Sequence, residues 1–172
     1  MKEATLHGHS RAAAWAALTV LALALGLVPS RALAAKPLEF QLATLDGRAF
    51  VKIADFPNRA VLINIWGTEC PPCVEETPLL NAQSQIYTNV QFLGIATDDR
   101  ISSLRFASRF NVRYPQLQAP MHPDGLLRRL GDLQGALPFT VVLDTEHRIC
   151  ASRLGKVDAE WISSVVKVCA TE

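Results

Sequence analysis

The chain has 172 residues, of which 49% are hydrophobic and 19% are charged. This length and composition predict one domain with a substantial core and a short additional segment. The 17 basic and 16 acidic side chains nearly balance, and no basic run is interleaved with aromatic residues. These features argue against a nucleic acid or an anionic membrane surface as partner.

The first 34 residues have the composition of an export signal. Lys2 and Arg11 precede an uncharged apolar run over residues 12–28, and the small-residue sequence at 32–34, Ala-Leu-Ala, follows it. A basic start, an apolar stretch and a small-x-small site are typical of a cleaved secretory signal. The alternative is an uncleaved membrane anchor, for which the apolar run is short.

We therefore predict a signal peptide at residues 1–34 and an exported domain at residues 35–172. Export to an oxidising compartment allows cysteines to form disulfides. All four cysteines lie in the predicted domain: Cys70, Cys73, Cys150 and Cys169.

Hydrophobic patterning in the first half of the domain predicts a hairpin, a buried strand and a helix. Residues 38–56 predict two short strands around Asp46-Gly47, a common hairpin turn. Residues 61–65 form a nearly continuous apolar run, which is typical of a strand buried on both faces. A helix is predicted at 74–87, after two prolines that suit a helix start.

The second half continues the alternation of strands and helices. Asp158 is expected to cap a final helix whose apolar residues recur at helical spacing. The alternation predicts an α/β fold, and the late hairpin at 139–154 makes the central sheet mixed. The other predicted elements are strands at 90–96 and 114–119, a helix capped by Asp98 or Asp99 and running to about 110, and a helix at 124–130.

The motif Cys70-x-x-Cys73 has two common interpretations in an exported chain. One is half of a zinc site, which needs two further ligands. His147 and Cys150 have suitable spacing, but the predicted topology places them at the far end of the sheet from Cys70. The other interpretation is a redox-active disulfide without metal or cofactor, which a CxxC between a buried strand and a helix favours.

The redox interpretation gives the two cysteines different roles. Cys70 lies where a strand ends and a helix begins, so that helix N–H groups and the helix dipole stabilise its thiolate. Cys73, one turn deeper, can attack a mixed disulfide and release the partner. Cys70 is therefore the predicted nucleophile and Cys73 the resolving cysteine.

Two stretches of the sequence resemble a known family. Residues 64–78, NIWGTECPPCVEETP, are similar to the active-site stretch of the TlpA/ResA-like thiol-disulfide oxidoreductases, which are bacterial, periplasmic or membrane-facing members of the thioredoxin superfamily. Residues 135–144, GALPFTVVLD, resemble the second signature of this family, where a cis proline begins a strand beside the cysteine pair. The resemblance implies a thioredoxin-like mixed central sheet flanked by helices, with an extra N-terminal β-hairpin.

The resemblance also implies roles for single residues. Pro138 would be the cis proline, and the backbone of Leu137 would hold an incoming peptide. Glu76 matches an acid that the family uses near the cysteines, and it would handle protons between the sulfurs. From sequence position alone, Glu76 reads as a solvated helix residue and Pro138 as a trans proline. Asn64 falls where thioredoxin carries a buried Asp. The other residues expected to bind substrate are Trp66, Pro71 and Pro72.

The resemblance implies a reductase of cysteine pairs in exported proteins, with cytochrome c maturation or copper-site proteins as examples. Such a reductase needs a membrane electron donor in the periplasm. The family usually has a tryptophan just before the nucleophile, whereas this chain has Glu69. A carboxylate beside Cys70 disfavours the thiolate, so the redox potential and the partner do not follow from the resemblance.

Two other functions are alternatives on this fold. A thioredoxin-fold copper chaperone similar to the SCO group has three residues between its cysteines and a distant histidine ligand, whereas two prolines separate the cysteines here. A peroxidase would have a threonine three residues before its cysteine, whereas Thr68 is two residues before Cys70. Both patterns fit less well than the oxidoreductase.

Cys150 and Cys169 are predicted to form a structural disulfide that does not turn over. Cys169 lies on the apolar stripe of the last helix, and Cys150 lies in the preceding strand, where we expect it to face a covered side of the sheet. A strand and the helix packed on it can bring two Cα atoms within bonding range of a disulfide. Two separate buried thiols are the alternative.

Overall fold

The computed structural model of the protein describes residues 36–171. The predicted signal peptide and its cleavage site after Ala34 lie outside these residues. The described part contains seven strands and four α-helices in the predicted order. Among residues 36–171, no helix combines the length and the apolar composition needed to cross a bilayer.

The strands form two sheets. A two-stranded antiparallel sheet contains β1 (Gln41–Ala43) and β2 (Phe50–Lys52). The central sheet contains β3 (Val61–Trp66), β4 (Gln91–Ala96), β5 (Gln116–Gln118), β6 (Phe139–Leu143) and β7 (Ile149–Leu154). Its spatial order is β5–β4–β3–β6–β7, with β3, β4 and β5 parallel and β6 and β7 antiparallel to their neighbours. The predicted α/β fold, mixed sheet and additional hairpin are confirmed.

Four helices flank the central sheet. They are α1 (Pro71–Ile86), α2 (Arg100–Arg109), α3 (Asp124–Leu130) and α4 (Ala159–Cys169). Asp99 caps α2 by accepting hydrogen bonds from two backbone N–H groups, both at 3.0 Å. Asp158 caps α4 by accepting from the backbone N–H of Trp161 at 2.8 Å. Both caps agree with the sequence prediction.

The core has a layer on each face of β3, whose six residues are all buried. Ile63 and the alternate residues of β3 pack with the apolar side chains of α3. Leu62, which points to the opposite face, packs with α1 and α4. A third, smaller cluster contains Trp66, Cys73 and Phe106 of α2. Burial on both faces explains why the β3 sequence is a continuous apolar run.

Strand β7 forms one edge of the central sheet and contains a β-bulge. Leu143 pairs with Ile149, and the preceding residue of β6 pairs with Ala151, which leaves Cys150 as the extra residue. Cys150 is exposed at this edge of the sheet, whereas the prediction placed it on a covered side. Its disulfide nevertheless joins it to Cys169, which is 1% exposed in the layer between the sheet and α4, so its side chain lies toward that helix. The exposure follows from its place in an edge strand, which is less completely covered than a central strand.

Candidate functional site

The two cysteines of the CxxC motif form a disulfide at the start of α1, as the sequence predicts. Their sulfurs lie 2.12 Å apart and their Cα atoms 5.2 Å apart. The buried strand β3 ends at Trp66, and Cys70 is the N-cap residue of α1. Pro71 and Pro72 occupy the first helical positions, where the missing N–H groups break no helical hydrogen bond. The strand and the helix therefore fix the disulfide at the end of the sheet where β3 terminates.

The two sulfur-bearing residues differ in exposure. Cys70 is half-buried, whereas Cys73 is 1% exposed. The Sγ atom of Cys70 accepts a hydrogen bond from the backbone N–H of Cys73 at 3.3 Å. This donor and the positive end of the helix dipole both favour a negative charge on Cys70. A partner can thus reach the residue whose thiolate the helix stabilises.

A buried carboxylate lies one helical turn after Cys73. Glu76 is 1% exposed. Its Oε1 accepts a hydrogen bond from Asn64 Nδ2 at 2.7 Å, and its Oε2 accepts from the backbone N–H of Val157 at 3.0 Å. The same Asn64 nitrogen donates to Thr140 Oγ1 at 3.1 Å. The position of this carboxylate is therefore fixed jointly by residues of β3, β6 and the loop before α4.

Burial raises the pKa of Glu76 above its usual value, because a charged carboxylate is poorly solvated there. The hydrogen bonds from Val157 and Asn64 oppose this effect, as do the nearby charges of Lys156 and Arg153. The phenol of buried Tyr114 also has a raised pKa, first through burial and then through the charge of Glu76. Glu76 therefore binds its proton more tightly than an exposed glutamate does.

The peptide bond between Leu137 and Pro138 is cis, and Pro138 lies immediately before β6. Pro138 is buried, and its carbonyl accepts a hydrogen bond from the N–H of Gly155 at 2.8 Å. Leu137 is half-buried and packs against the cluster that contains Trp66 and Cys73. The cis proline and the cysteine pair are thus brought to the same end of the sheet.

The loop before the cis proline is held by a buried side chain that the sequence analysis missed. Asp132 is buried, and its Oδ1 accepts hydrogen bonds from three consecutive backbone N–H groups, those of Gln134, Gly135 and Ala136. Several donors on one carboxylate oxygen form a compact turn. The Asp-x-x-Gly spacing is a weak turn signal that could have identified it.

The loop before Cys70 has a similar anchor. Asp98 Oδ2 accepts hydrogen bonds from the backbone N–H of Thr68 and, at 2.7 Å, from its hydroxyl. A Cβ atom on Gly67 would lie 3.3 Å from the same oxygen and 3.2 Å from Leu137 Cδ1. Close approach of two loops thus explains the glycine two residues before Glu69.

Trp66 is 3% exposed and belongs to the core beneath the disulfide. Its indole stacks on Phe106 at 4.6 Å, and its Nε1–H donates to Gln116 Oε1 at 2.9 Å. The amide of Gln116 lies over Gly94, where a Cβ atom would come within 2.1 Å of Oε1. A direct contact between Trp66 and a substrate stays a prediction.

The surface around Cys70 is formed by exposed residues. Pro71, Pro72 and Glu69 are exposed. Glu75 forms an ion pair with Lys156 at 2.7 Å, and this pair lowers the pKa of Glu75. The substrate-binding roles of Pro71, Pro72, Leu137 and Pro138 stay predictions.

The structure does not bring the second pair of cysteines into this site. Cys150 and Cys169 are joined with an S–S distance of 2.08 Å. Strand pairing places Cys150 near the start of β3, at the end of the sheet remote from Cys70. His147 Nε2 lies 3.0 Å from the carbonyl oxygen of Phe56. Among residues 36–171, no three His, Cys, Asp or Glu side chains are grouped to hold a metal ion.

The mixed sheet, the disulfide at a strand-to-helix junction and the facing cis proline together define a thioredoxin-fold protein with a redox-type cysteine pair. The family comparison agrees with this class. The Redoxin family matches residues 32–168, and the chain belongs to this family.

The sequence relatives are ResA proteins. The chain is 30% identical over 114 residues to the thiol-disulfide oxidoreductase ResA of Geobacillus thermodenitrificans, a match that covers 64% of this chain and 63% of that relative. It is 23% identical over 132 residues to the protein of the same name from Bacillus thuringiensis (strain Al Hakam), covering 74% and 73%. These similarities confirm the predicted resemblance to the ResA/TlpA-like proteins of the thioredoxin superfamily.

Solved structures share the fold. A putative thiol:disulfide interchange protein DsbE from Chlorobium tepidum is similar with a TM-score of 0.67 and 18% identity, covering 79% of this chain and 96% of that chain. A secreted thiol-disulfide isomerase from Corynebacterium glutamicum is similar with a TM-score of 0.68 and 24% identity, covering 80% and 86%. These similarities confirm the predicted thioredoxin-like fold.

Proposed function

We propose that this protein is a thiol-disulfide oxidoreductase that reduces cysteine pairs in exported proteins. The observation that carries the proposal is the disulfide at the N-terminus of α1, with an accessible Cys70 and a buried Cys73. The similarity to ResA proteins, which are named thiol-disulfide oxidoreductases, supports the same activity. The matched segment spans about two thirds of the Geobacillus relative, so we transfer this activity as a proposal.

The first step is attack of the Cys70 thiolate on one sulfur of a partner disulfide. A bond forms between Cys70 Sγ and that sulfur, and the other partner sulfur leaves as a thiolate. The helix N-terminus stabilises the attacking thiolate before the reaction. We propose that the exposed prolines and the Leu137–Pro138 backbone hold the partner segment beside Cys70, because all of them lie at this end of the sheet.

The second step resolves the mixed disulfide. Cys73 loses its proton to Glu76 and attacks Cys70 Sγ, and the second partner sulfur leaves as a thiolate. Two electrons have then passed to the partner, and the Cys70–Cys73 disulfide has formed. Glu76 suits the role of base because it is buried near the resolving cysteine and has a raised pKa.

Turnover needs a reductant that restores the dithiol. We propose that residues 1–34 direct the chain out of the cytoplasm as a signal peptide, that residues 35–172 form the working domain in the periplasm, and that a membrane electron donor supplies two electrons per cycle. Proteins of cytochrome c maturation and copper-site proteins are the substrate classes that we propose to test first.

A trapping experiment tests the proposal. Removal of the resolving sulfur in Cys73→Ser should leave Cys70 able to attack a disulfide-bonded peptide but unable to release it, so that a stable mixed disulfide accumulates. Non-reducing electrophoresis and peptide mapping identify the bonded cysteine. The matched control is Cys70→Ser, in which no adduct should form because Cys73 is buried.

Two results would contradict the assignment. Equal adduct formation by both variants would show that Cys70 is not the specific nucleophile. An absence of adduct in both, with the wild-type dithiol also inert toward the peptide, would refute the oxidoreductase activity. The direction of electron flow is measured separately, by equilibrating the Cys70–Cys73 pair with glutathione and quantifying the reduced fraction.

A further inference from the structure

The carboxylate of Glu76 has two hydrogen-bond donors of different kinds. Oε2 accepts from the backbone N–H of Val157, which is a donor in every state of the protein. Oε1 accepts from the side-chain amide of Asn64, which carries a donor on one side and an acceptor on the other. Rotation of that amide by 180° exchanges the two. Only the Asn64 side of the carboxylate can therefore change from donor to acceptor.

The contact between the Asn64 amide and Thr140 can also reverse its donor and acceptor. Nδ2 donates both to Glu76 Oε1 at 2.7 Å and to Thr140 Oγ1 at 3.1 Å. A hydroxyl can accept or donate, because its hydrogen rotates about the C–O bond. After the rotation, Asn64 Oδ1 would accept from a protonated Glu76 and from the hydroxyl of Thr140. Both contacts are kept, with the direction of both hydrogen bonds reversed.

We propose that Asn64 and Thr140 are positioning residues that let Glu76 gain and lose its proton at Oε1 through a 180° rotation of the Asn64 amide. The proposal rests on the proton-handling role that we propose for Glu76. The proton comes from Cys73 Sγ–H as that sulfur becomes a thiolate, and it leaves Oε1 for the departing partner thiolate. The contacts of Asn64 with Glu76 and with Thr140 are then kept in both protonation states.

The charged surroundings of Glu76 do not replace this arrangement. Arg153, at the end of β7, and Lys156, in the loop after it, contribute positive charge. Tyr114 lies before β5 and has a buried phenol. Cys73 precedes Glu76 on α1, and Glu75 is paired with Lys156. Lys156 and Arg153 lower the proton affinity of Glu76. The side chain bonded to the carboxylate is nevertheless Asn64, which is bonded in turn to Thr140, its pairing partner on the adjacent antiparallel strand β6.

Thr140→Val tests the proposal with a residue of nearly the same shape. With ionised Glu76, the variant leaves one N–H of the Asn64 amide without an acceptor, whereas with protonated Glu76 the amide oxygen keeps the carboxyl as its donor. The substitution thus destabilises the state with ionised Glu76 more than the state with protonated Glu76. The proton affinity of Glu76 should therefore rise about tenfold. Thr140→Ser keeps the hydroxyl and should leave the affinity within about twofold of wild type.

The measurement follows the Glu76 side-chain carboxyl carbon by NMR over a pH series in the oxidised protein, with Glu76→Gln used to assign the resonance. The Asn64 side-chain amide resonances should move with the same midpoint, and the nuclear Overhauser effects between the Asn64 amide hydrogens and Thr140 should weaken as Glu76 is protonated, because rotation moves those hydrogens away. A fixed amide would keep these effects at every pH. An unchanged midpoint in Thr140→Val, or Asn64–Thr140 effects that persist when Glu76 is protonated, would overturn the proposal. Thr140→Ala carries the same expectation if the valine variant does not fold.

The result is independent of enzymatic turnover. A wild-type protein that exchanges no disulfides would refute the proposed function while the Glu76 titration could still show the coupled amide. Conversely, an active enzyme whose Asn64 amide does not follow Glu76 would refute the coupling alone. In the active enzyme, Thr140→Val should raise the pH midpoint of mixed-disulfide resolution by the amount that corresponds to the tenfold higher proton affinity of Glu76. Thr140→Ser should keep the wild-type midpoint.

Discussion

The two disulfides lie at opposite ends of the central sheet and at opposite ends of their helices. Cys70 caps the N-terminus of α1, whereas Cys169 is the last residue of α4. The N-terminus of a helix stabilises a thiolate and the C-terminus destabilises it. Reduction therefore creates a negative charge in a favourable place at one disulfide and in an unfavourable place at the other.

The buried sulfur of each pair also has different neighbours. Cys73 is followed by Glu76, a carboxylate suited to accept its proton. Cys169 is buried in an apolar cluster with Ile162 and Val166, which raises the cost of a thiolate further. The comparison teaches that the reactivity of a disulfide depends on how well its surroundings stabilise the thiolate that reduction releases. We propose that Cys150–Cys169 is structural for this reason, although Cys150 is exposed.

The largest expected effect is on the rates at which the two disulfides are reduced. Under limiting dithiothreitol, Cys70–Cys73 should be reduced on the order of a hundredfold faster than Cys150–Cys169, because only the first releases its thiolate beside a helix N-terminus or a base. Timed alkylation followed by peptide mapping gives both rates. The control is protein unfolded in denaturant, in which the rates should converge. Similar rates in the folded protein would contradict the proposed difference in reactivity between the two disulfides.

Loss of the second disulfide should affect stability and spare the exchange reaction. Cys150 and Cys169 are 19 residues apart in sequence, and replacing both by Ala should lower the free energy of unfolding by about 3 kcal/mol. The matched control replaces Cys70 and Cys73, which close a much shorter loop and should cost about 2 kcal/mol. Urea unfolding at neutral pH measures both. Reduced exchange in the Cys150/Cys169 double variant would assign that pair a redox role.

The pH dependence of stability should identify Glu76 as the buried acid of the reactive end. Its pKa is raised in the folded state, so the folded protein binds the proton more tightly than the unfolded chain. The resulting stabilisation is fully present below the unfolded value of 4.5 and is lost as pH rises through the folded pKa. Relative to Glu76→Gln, wild type should lose up to about 1.4 kcal/mol per pH unit within that window.

The measurement is urea unfolding of oxidised wild type and Glu76→Gln at intervals from pH 3 to pH 8. Glu160→Gln is a matched control, since Glu160 is exposed in the first turn of α4 and should change the pH profile little. Parallel profiles for wild type and Glu76→Gln would show that burial does not perturb this carboxyl.

The smallest expected effect concerns the carboxylate next to the nucleophile. Glu69 is exposed, so solvent screens its charge, and Glu69→Gln should accelerate disulfide exchange by only about twofold through a larger thiolate fraction. Stopped-flow reaction with an uncharged aromatic disulfide reports the rate. Glu146→Gln, in the turn at the opposite end of the sheet, is the control. A slower Glu69→Gln reaction would mean that this side chain contacts the partner instead.

Local sequence signals were sufficient for the elements and for the reactive motif. The apolar run of β3, the helix caps Asp99 and Asp158, and the CxxC at a strand-to-helix junction each depend on neighbours within a few residues. The α/β order follows from them, and the burial of Glu76 was expected only through the family resemblance. On spacing alone Glu76 resembled Glu75, which is exposed.

Contacts between distant segments could not be predicted. The anchor between Asp98 and Thr68 joins residues 30 apart, and the bond from Val157 to Glu76 joins residues 81 apart. No local pattern specifies either, because each depends on how loops approach after the sheet has formed. The exposure of Cys150 was not predicted for a related reason, since its position at a bulge in an edge strand is defined only once the strands have paired.

The absence of a side chain at Gly94 has a consequence for how this protein can evolve. The amide of Gln116 occupies the space that a Cβ atom would need, and the same amide binds the indole of Trp66 beneath the disulfide. A larger residue at 94 therefore requires the Gln116 amide to move aside, and that movement breaks its hydrogen bond with the indole N–H. Replacements at positions 94, 116 and 66 should accordingly depend on one another in descendants of this sequence.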